Sequence, residues 1–344
     1  MRALGAAPAL LLAVAVCAED VDETPARLAE EITVTASRAD TAVGDTPASV
    51  AVVSRDALEV TAAPTVDDAL RQVVGFSLFR RAGSRTANPT VQGVSLRGIG
   101  ASGASRSLVL LDGLPLNDPF GGWVYWGRAP RLAVERLEVL RGGSSDLYGS
   151  GALGGVAQIL TRSAGAGRGL DAELSAGSSN FFDGAVTAHA SGERWGGQVS
   201  AEALRTDGHL AVDPWDRGSI DRPVASRHAA LDATVERRFD RGGKAFVRGM
   251  YYDESRDNGT PLQENDTWIG LLAAGYDQGP WSARLWGSRQ ELRQSFSAVA
   301  SDREAERLVR RQRVPADALG ASGQWSRTAG SRHHLVAGVE GRLV

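Results

Sequence analysis

Residues able to do chemistry are scattered along this 344-residue chain rather than gathered into a recognisable set. His333 and His334 are adjacent, so on a strand they point to opposite faces and do not readily share a metal. The acidic stretch DESRDNGTPLQEND (253–266) offers oxygens for calcium, but Gly259 falls one place late for an EF-hand loop, and a solvated loop is the simpler reading. The glycine-rich GGSSDLYGSGALGG (142–155) lacks the Gly-Lys-Ser/Thr ending of a phosphate loop; its glycines let backbone pass close to a neighbouring wall. No Ser/His/Asp or paired-carboxylate arrangement is anchored by a motif, so the sequence offers no catalytic residues, no metal ligands and no cofactor site. Two other groups stand out. DPFGGWVYW (118–126) clusters Trp123, Tyr125 and Trp126, which either face a small-molecule ligand or pack a core. EITVTA (Glu31, Ile32, Thr33, Val34, Thr35, Ala36) is a strand-forming run with no turn and no second strand beside it. A lone strand leaves backbone donors and acceptors unpaired, so this one is expected to find a partner elsewhere.

Composition narrows what these groups serve. The formal net charge is −3, which leaves no basic footprint for nucleic acid. Arg2, the apolar run Ala9–Val16 and the small-residue site Val16-Cys17-Ala18 read as an export signal cleaved before Glu19. Cys17 is the only cysteine, so cleavage after Ala18 leaves a chain without disulfides or cysteine–metal sites; Val16 fits poorly with the alternative of Cys17 as a lipid anchor. Beyond that signal no apolar run approaches the ~20 residues of a spanning helix, so any membrane role is peripheral or built from strands.

Residues 48–165 mix helix and strand patterns. ASVAVVS (48–54) reads as a strand, and Thr65 caps a helix carrying Val66, Ala69, Leu70 and Val73 on one face until Gly75. FSLFRR (76–81), TVQGVSLRG (90–98) and SRSLVLLDGLPL (105–116) read as strands. A second helical stretch is expected after Pro130, with Leu132, Val134 and Leu137 apolar, passing into LEVLRGG (137–143) and the strand GGVAQILT (154–161). This is a small α+β domain.

From about residue 169 the period becomes two. Ala229, Leu231, Ala233, Val235 and Phe239 share one face, opposite Ala230, Asp232, Thr234, Glu236 and Arg238. Trp195, Val199, Ala201 and Ala203 likewise oppose Gln198, Ser200 and Glu202. After a first hairpin at 178–180, short links (192–194, 240–243, 277–280, 329–332) alternate with long ones (207–226, 253–266, 297–316). Outer-membrane barrels sort their connections in this way, and Phe239, Tyr276 and Trp281 flank short turns where an aromatic girdle belongs. A passive porin or a soluble exported β-rich binding protein are the alternatives. The first needs no domain ahead of its barrel, and the second needs its β region to fold in water.

Three stretches carry a resemblance. EITVTA resembles a TonB box, VSLRGIG (94–100) with LVLLDGLPLND (108–118) resembles the centre of a plug domain, and VERLEVLRGGSSDLYGSGALGGVAQILT (134–161) resembles the plug's C-terminal signature. Gly143 stands where the family usually has proline. On these residues the chain resembles a TonB-dependent outer-membrane receptor. The resemblance implies a signal (1–18), a flexible segment with the box (19–47), a plug (48–165) and the N-terminal part of an antiparallel transmembrane β-barrel (166–344), about nine strands of an expected twenty-two. It also implies energised uptake of a siderophore-iron or cobalamin ligand rather than catalysis. The partner protein TonB would add a strand to Glu31–Ala36 by β-augmentation, and outer-membrane lipid would surround the barrel. Arg97 and Arg141, each before a glycine in a matched motif, correspond to plug arginines that pair with barrel acids in relatives.

Overall fold

In the chain's computed structural model, residues 33–34, 41–42, 48–80, 82–100, 103–162, 167–329 and 333–344 are described. The expected export signal, and Glu31, Ile32, Thr35 and Ala36 of the box, lie outside them. Within the box, β1 (Thr33–Val34) pairs antiparallel with β2 (Thr41–Ala42), Thr33 opposite Ala42 and Val34 opposite Thr41. The box strand therefore has a neighbour in its own chain, contrary to the sequence reading. A two-residue ladder is too short to leave a periodic signature.

The α+β domain starts with β3 (Ser49–Ser54), followed directly by α1 (Arg55–Val60) and then α2 (Val66–Leu70). The sequence reading missed α1; Ser54 caps it, accepting from the Ala57 N–H at 3.4 Å. α2 ends earlier than expected, and turns carry the chain through buried Val73 to Gly75, whose φ of 86° suits glycine. Next come β4 (Phe76–Leu78), β5 (Val94–Leu96), β6 (Ser107–Leu111), β7 (Leu114–Pro115), β8 (Val134–Arg141), α3 (Ser145–Tyr148) and β9 (Gly155–Thr161). The expected helix after Pro130 is instead a single 3₁₀ turn, Arg131–Ala133, leading into β8. β8 pairs with β3 on one side and β9 on the other. Its apolar Val134, Leu137 and Leu140 recur three apart, as on a helix, and a bulge at Val134/Arg136 breaks the strand alternation. The central sheet has the order β3-β8-β9-β6-β7, with β6 and β9 parallel.

The second half is one antiparallel meander in chain order: β10 (Gly167–Gly177), β11 (Phe181–Ser191), β12 (Trp195–Thr206), β13 (Ser226–Arg238), β14 (Lys244–Asp257), β15 (Glu264–Gln278), β16 (Trp281–Val299), β17 (Glu306–Ala329) and β18 (His333–Leu343). Its nine strands match the expected number, and its edges, β10 and β18, do not pair with each other. The faces follow the alternation. Leu231, Val235 and Leu272 are exposed on the outside, whereas Ala230, Asp232 and Leu271 are buried on the inside. The inner face packs on the plug, and Met250, Leu271, Ala273, Trp286 and Ala318 join the core built by β6, β8 and β9.

Two of the long links shrink. Residues 253–266 are mostly β14 and β15, and 297–316 are mostly β16 and β17, leaving only 258–263 and 300–305 as connections. Asp257 pairs with Glu264 in the ladder, so the acidic stretch is a hairpin rather than a loop. Charged segments such as Glu306–Arg313 show no apolar face, yet main-chain pairing needs none. No helix among the described residues is long and apolar enough to cross a membrane.

Candidate functional site

The plug meets the sheet through buried polar ties, one of which begins at a tight turn. β6 and β7 are joined by Asp112-Gly113, with φ values of 48° and 82°, the two left-handed positions that a two-residue hairpin turn requires. The turn holds the Asp112 carboxylate at the plug's edge, where it accepts from the Thr161 N–H (2.9 Å) and Oγ1 (2.7 Å). Arg248 of β14 donates Nη1 to Asp112, while its Nε donates to both oxygens of Asp232 on β13 at 2.9 and 3.1 Å. Arg248 is 3% exposed. A forked guanidinium thus bridges one plug acid and one wall acid, the arrangement that makes the strongest charge-assisted bonds. A cavity of about 180 Å³ opens beside it, lined by Arg162, Lys244 and Arg284 among others.

Further from this tie, DPFGGWVYW folds around Asp118. Its Oδ1 accepts from the Phe120 N–H (2.9 Å) and Gly121 N–H (2.6 Å), and its Oδ2 from Gln290 on β16. Burial pushes the Asp118 carboxyl above its usual range, against the pull of these donors. Buried Arg128 donates to the Leu116 carbonyl at 3.2 Å, and its own burial lowers it to about 10, which leaves it charged at neutral pH. Trp123, Tyr125 and Trp126 are all buried. Trp123 and Tyr125 pack with Tyr252, Ile269, Leu292 and Val314 of the wall, and Trp126 joins the main core. Tyr125 and Tyr252 have ring centroids 6.1 Å apart. At Gly127 the backbone comes so close to the wall that an added Cβ would lie 2.9 Å from the Tyr252 ring.

Other ties ring the contact. Arg256 of β14 donates to the Ser84 carbonyl (2.7 Å), Arg131 pairs with Glu173 of β10 (2.8 Å), and Arg85 and Arg162 pair with Asp183 and Asp171. The sequence reading found none of these partners. Alternation placed Asp232 on the polar face of its strand, but no pattern in the sequence pairs it with Arg248 or Arg248 with Asp112.

The two expected latch residues are brought together. Arg97, at φ 53°, and Arg141 both approach Gly75, their Cγ and Cδ 3.5 and 4.0 Å from an added Cβ there. Arg141 donates to the Val74 carbonyl at 3.1 Å, and its Nε is buried without a hydrogen-bond partner. Among the described residues neither arginine meets a carboxylate. His333 opens β18, opposite Ala329. Among the described residues no three His, Cys, Asp or Glu side chains converge as metal ligands would.

Comparison with known proteins finds likenesses along the chain. Residues 42–156 match the TonB-dependent Receptor Plug Domain family. The vitamin B12 transporter BtuB of Vibrio cholerae is 30% identical over 197 residues, covering 57% of this chain and 29% of that protein. The iron-regulated outer membrane virulence protein of Vibrio cholerae is 34% identical over 164 residues, covering 44% and 22%. The chain therefore spans less than a third of either relative's length. Among solved structures, a variant of the ferric enterobactin receptor PfeA of Pseudomonas aeruginosa superposes with a TM-score of 0.64 at 15% identity, covering 90% of this chain and 50% of that one. The Serratia marcescens hemophore receptor HasR gives 0.65 at 17% identity, over 87% and 45%. These likenesses extend the shared fold past the plug into the meander.

Proposed function

We propose that this chain, which carries the plug domain and nine barrel strands of a TonB-dependent receptor, serves active uptake of a scarce nutrient across the outer membrane. The observation that carries the reading is the plug tied to the wall through Arg248. A plug held by buried charge against the inner face of a membrane sheet is an occluded passage, and opening it takes work. A passive pore has no use for such a tie.

The ligand class is siderophore-bound iron or cobalamin. This rests on the similarity to a vitamin B12 transporter and an iron-regulated outer-membrane protein. Trp123, Tyr125 and Trp126 are turned to the wall and core, so they reach substrate only if the plug moves. Energy enters at Glu31–Ala36, where TonB adds a strand. Either the two-residue β1–β2 ladder opens first, or TonB pairs along the free edge of β1. Arg97 and Arg141 supply the plug half of a latch whose acids belong to another part of the barrel wall. A strain deleted for the gene, grown on defined iron and cobalamin sources, tests the assignment. Loss of growth on one source, restored by the gene, is the expected outcome; unimpaired growth on all of them removes the proposal.

A further inference from the structure

The outward face of the meander carries a groove of about 720 Å³ across β13–β16. Register explains it. Ala233, Gly249, Leu272 and Gly287 stand side by side in one row, and Leu231, Tyr251, Gly270 and Arg289 in the next row outward. Gly249, Gly270 and Gly287 contribute no side chains, so the space between Leu231, Tyr251 and Leu272 is left open. An added Cβ at Gly270 meets nothing within 4 Å.

The outer end of this groove is basic. Arg289 lines it directly, and two rows further out Arg293 of β16 stands opposite Arg313 of β17. Arg293 donates through Nε to Glu291 at 2.6 Å, and Arg313 donates to it through Nε at 2.6 Å and also through Nη2, yet the two side chains remain 64% and 68% exposed. Arg289 reaches Asp317 only at 3.6 Å, and Asp266 stands across from Arg293. Arg311 faces Ser295, with no acid opposite. Height agrees with chemistry. From Trp281, at the inner girdle, Arg289 is eight residues along β16, about 26 Å at ~3.3 Å per residue. At a strand tilt of ~40° this is about 20 Å along the membrane normal, near the top of an apolar band ~25 Å tall. Arg293 and Arg313 then sit just above hydrocarbon.

We propose that this face is a binding site for one outer-leaflet lipid with a phosphorylated headgroup, its acyl chain in the glycine groove and its phosphate on Arg289, Arg293 and Arg313. Guanidinium groups suit phosphate because their N–H fork matches its oxygens. The inference rests on the membrane reading above, and the test separates the two. The full gene product is extracted from the outer-membrane fraction in a mild non-ionic detergent, and heat-modifiable gel migration reports a folded barrel independently of any lipid. Retention of diphosphoryl lipid A, phosphatidylcholine or excess inorganic phosphate is then followed by native mass spectrometry. The expected result is one lipid A retained, bound at least tenfold more weakly by Gly270→Leu and by Arg293→Ala/Arg313→Ala, with phosphatidylcholine held poorly throughout. Should Gly270→Leu fail to fold, the arginine pair decides. Equal affinity in the variants, equally tight phosphatidylcholine, or displacement of lipid A by inorganic phosphate overturns the site; absence from the outer membrane overturns the membrane reading and the site with it.

Discussion

Replacing Arg248 with Met removes the cation between Asp112 and Asp232 while keeping most of the side chain's bulk. Asp232 has a side chain only 10% exposed and loses both of its bonds from Nε, whereas Asp112 keeps Thr161 and is 28% exposed. Breaking an enclosed ion pair from one side destabilises by roughly 3–5 kcal/mol, because a charge is left buried without a partner. At 1.36 kcal/mol per factor of ten, this raises the undocked population of the plug about 10²- to 10³-fold or more. Asp232→Asn added to Arg248→Met removes the stranded charge, so the double variant is expected to regain at least half of the loss. The assay is amide hydrogen exchange across Leu110–Leu114 and Thr161 in the detergent-solubilised protein, which reads plug opening without requiring transport. An acceleration below tenfold in Arg248→Met, or no recovery in the double variant, would refute the view that this tie holds the plug.

Three further outcomes are expected. Asp118 binds its proton more tightly in the docked plug than when undocked, so its contribution is fully present below about 3.8 and is lost as pH rises through its raised value. The melting temperature of the native protein minus that of Asp118→Asn is therefore expected to increase on acidification from pH 7 toward 4, and a flat difference contradicts it. Gly127→Val places carbon against the Tyr252 ring and His228, where overpacking destabilises by about 1–3 kcal/mol, read as faster proteolysis of the plug; unchanged protection argues against this contact. Arg97→Ala/Arg141→Ala is expected to raise ion leakage in planar bilayers, and unchanged conductance removes the latch.

Much of the architecture was legible because its physics is local. Leu231 and Asp232 fall on opposite faces by strand geometry alone, so alternation revealed the strands and their two faces. The start of β8 reads as helix because Val134, Leu137 and Leu140 recur three apart and a bulge at Val134/Arg136 interrupts the alternation that marks a strand. The links at 253–266 and 297–316 were overestimated because strand above the hydrocarbon is held by main-chain bonds, to which side-chain type is nearly blind. The candidate site was legible only as motifs. Arg97, Arg141 and Asp112 lie in recognisable stretches, but the Arg248 partnership joins residues 136 apart and depends on how plug and wall meet. The Thr33–Val34 ladder with Thr41–Ala42 is too brief for any period to announce.

The central claim is that energy reaches the plug through main-chain pairing at Glu31–Ala36. Proline lacks the N–H and fixes φ, so Val34→Pro breaks a docking strand, whereas Val34→Ala retains the donor. The measurement is ligand bound at the cell surface against ligand accumulated inside, for both variants of the full gene product. Native surface binding is expected in both, with accumulation abolished in Val34→Pro and largely kept in Val34→Ala. Normal accumulation in Val34→Pro would contradict it.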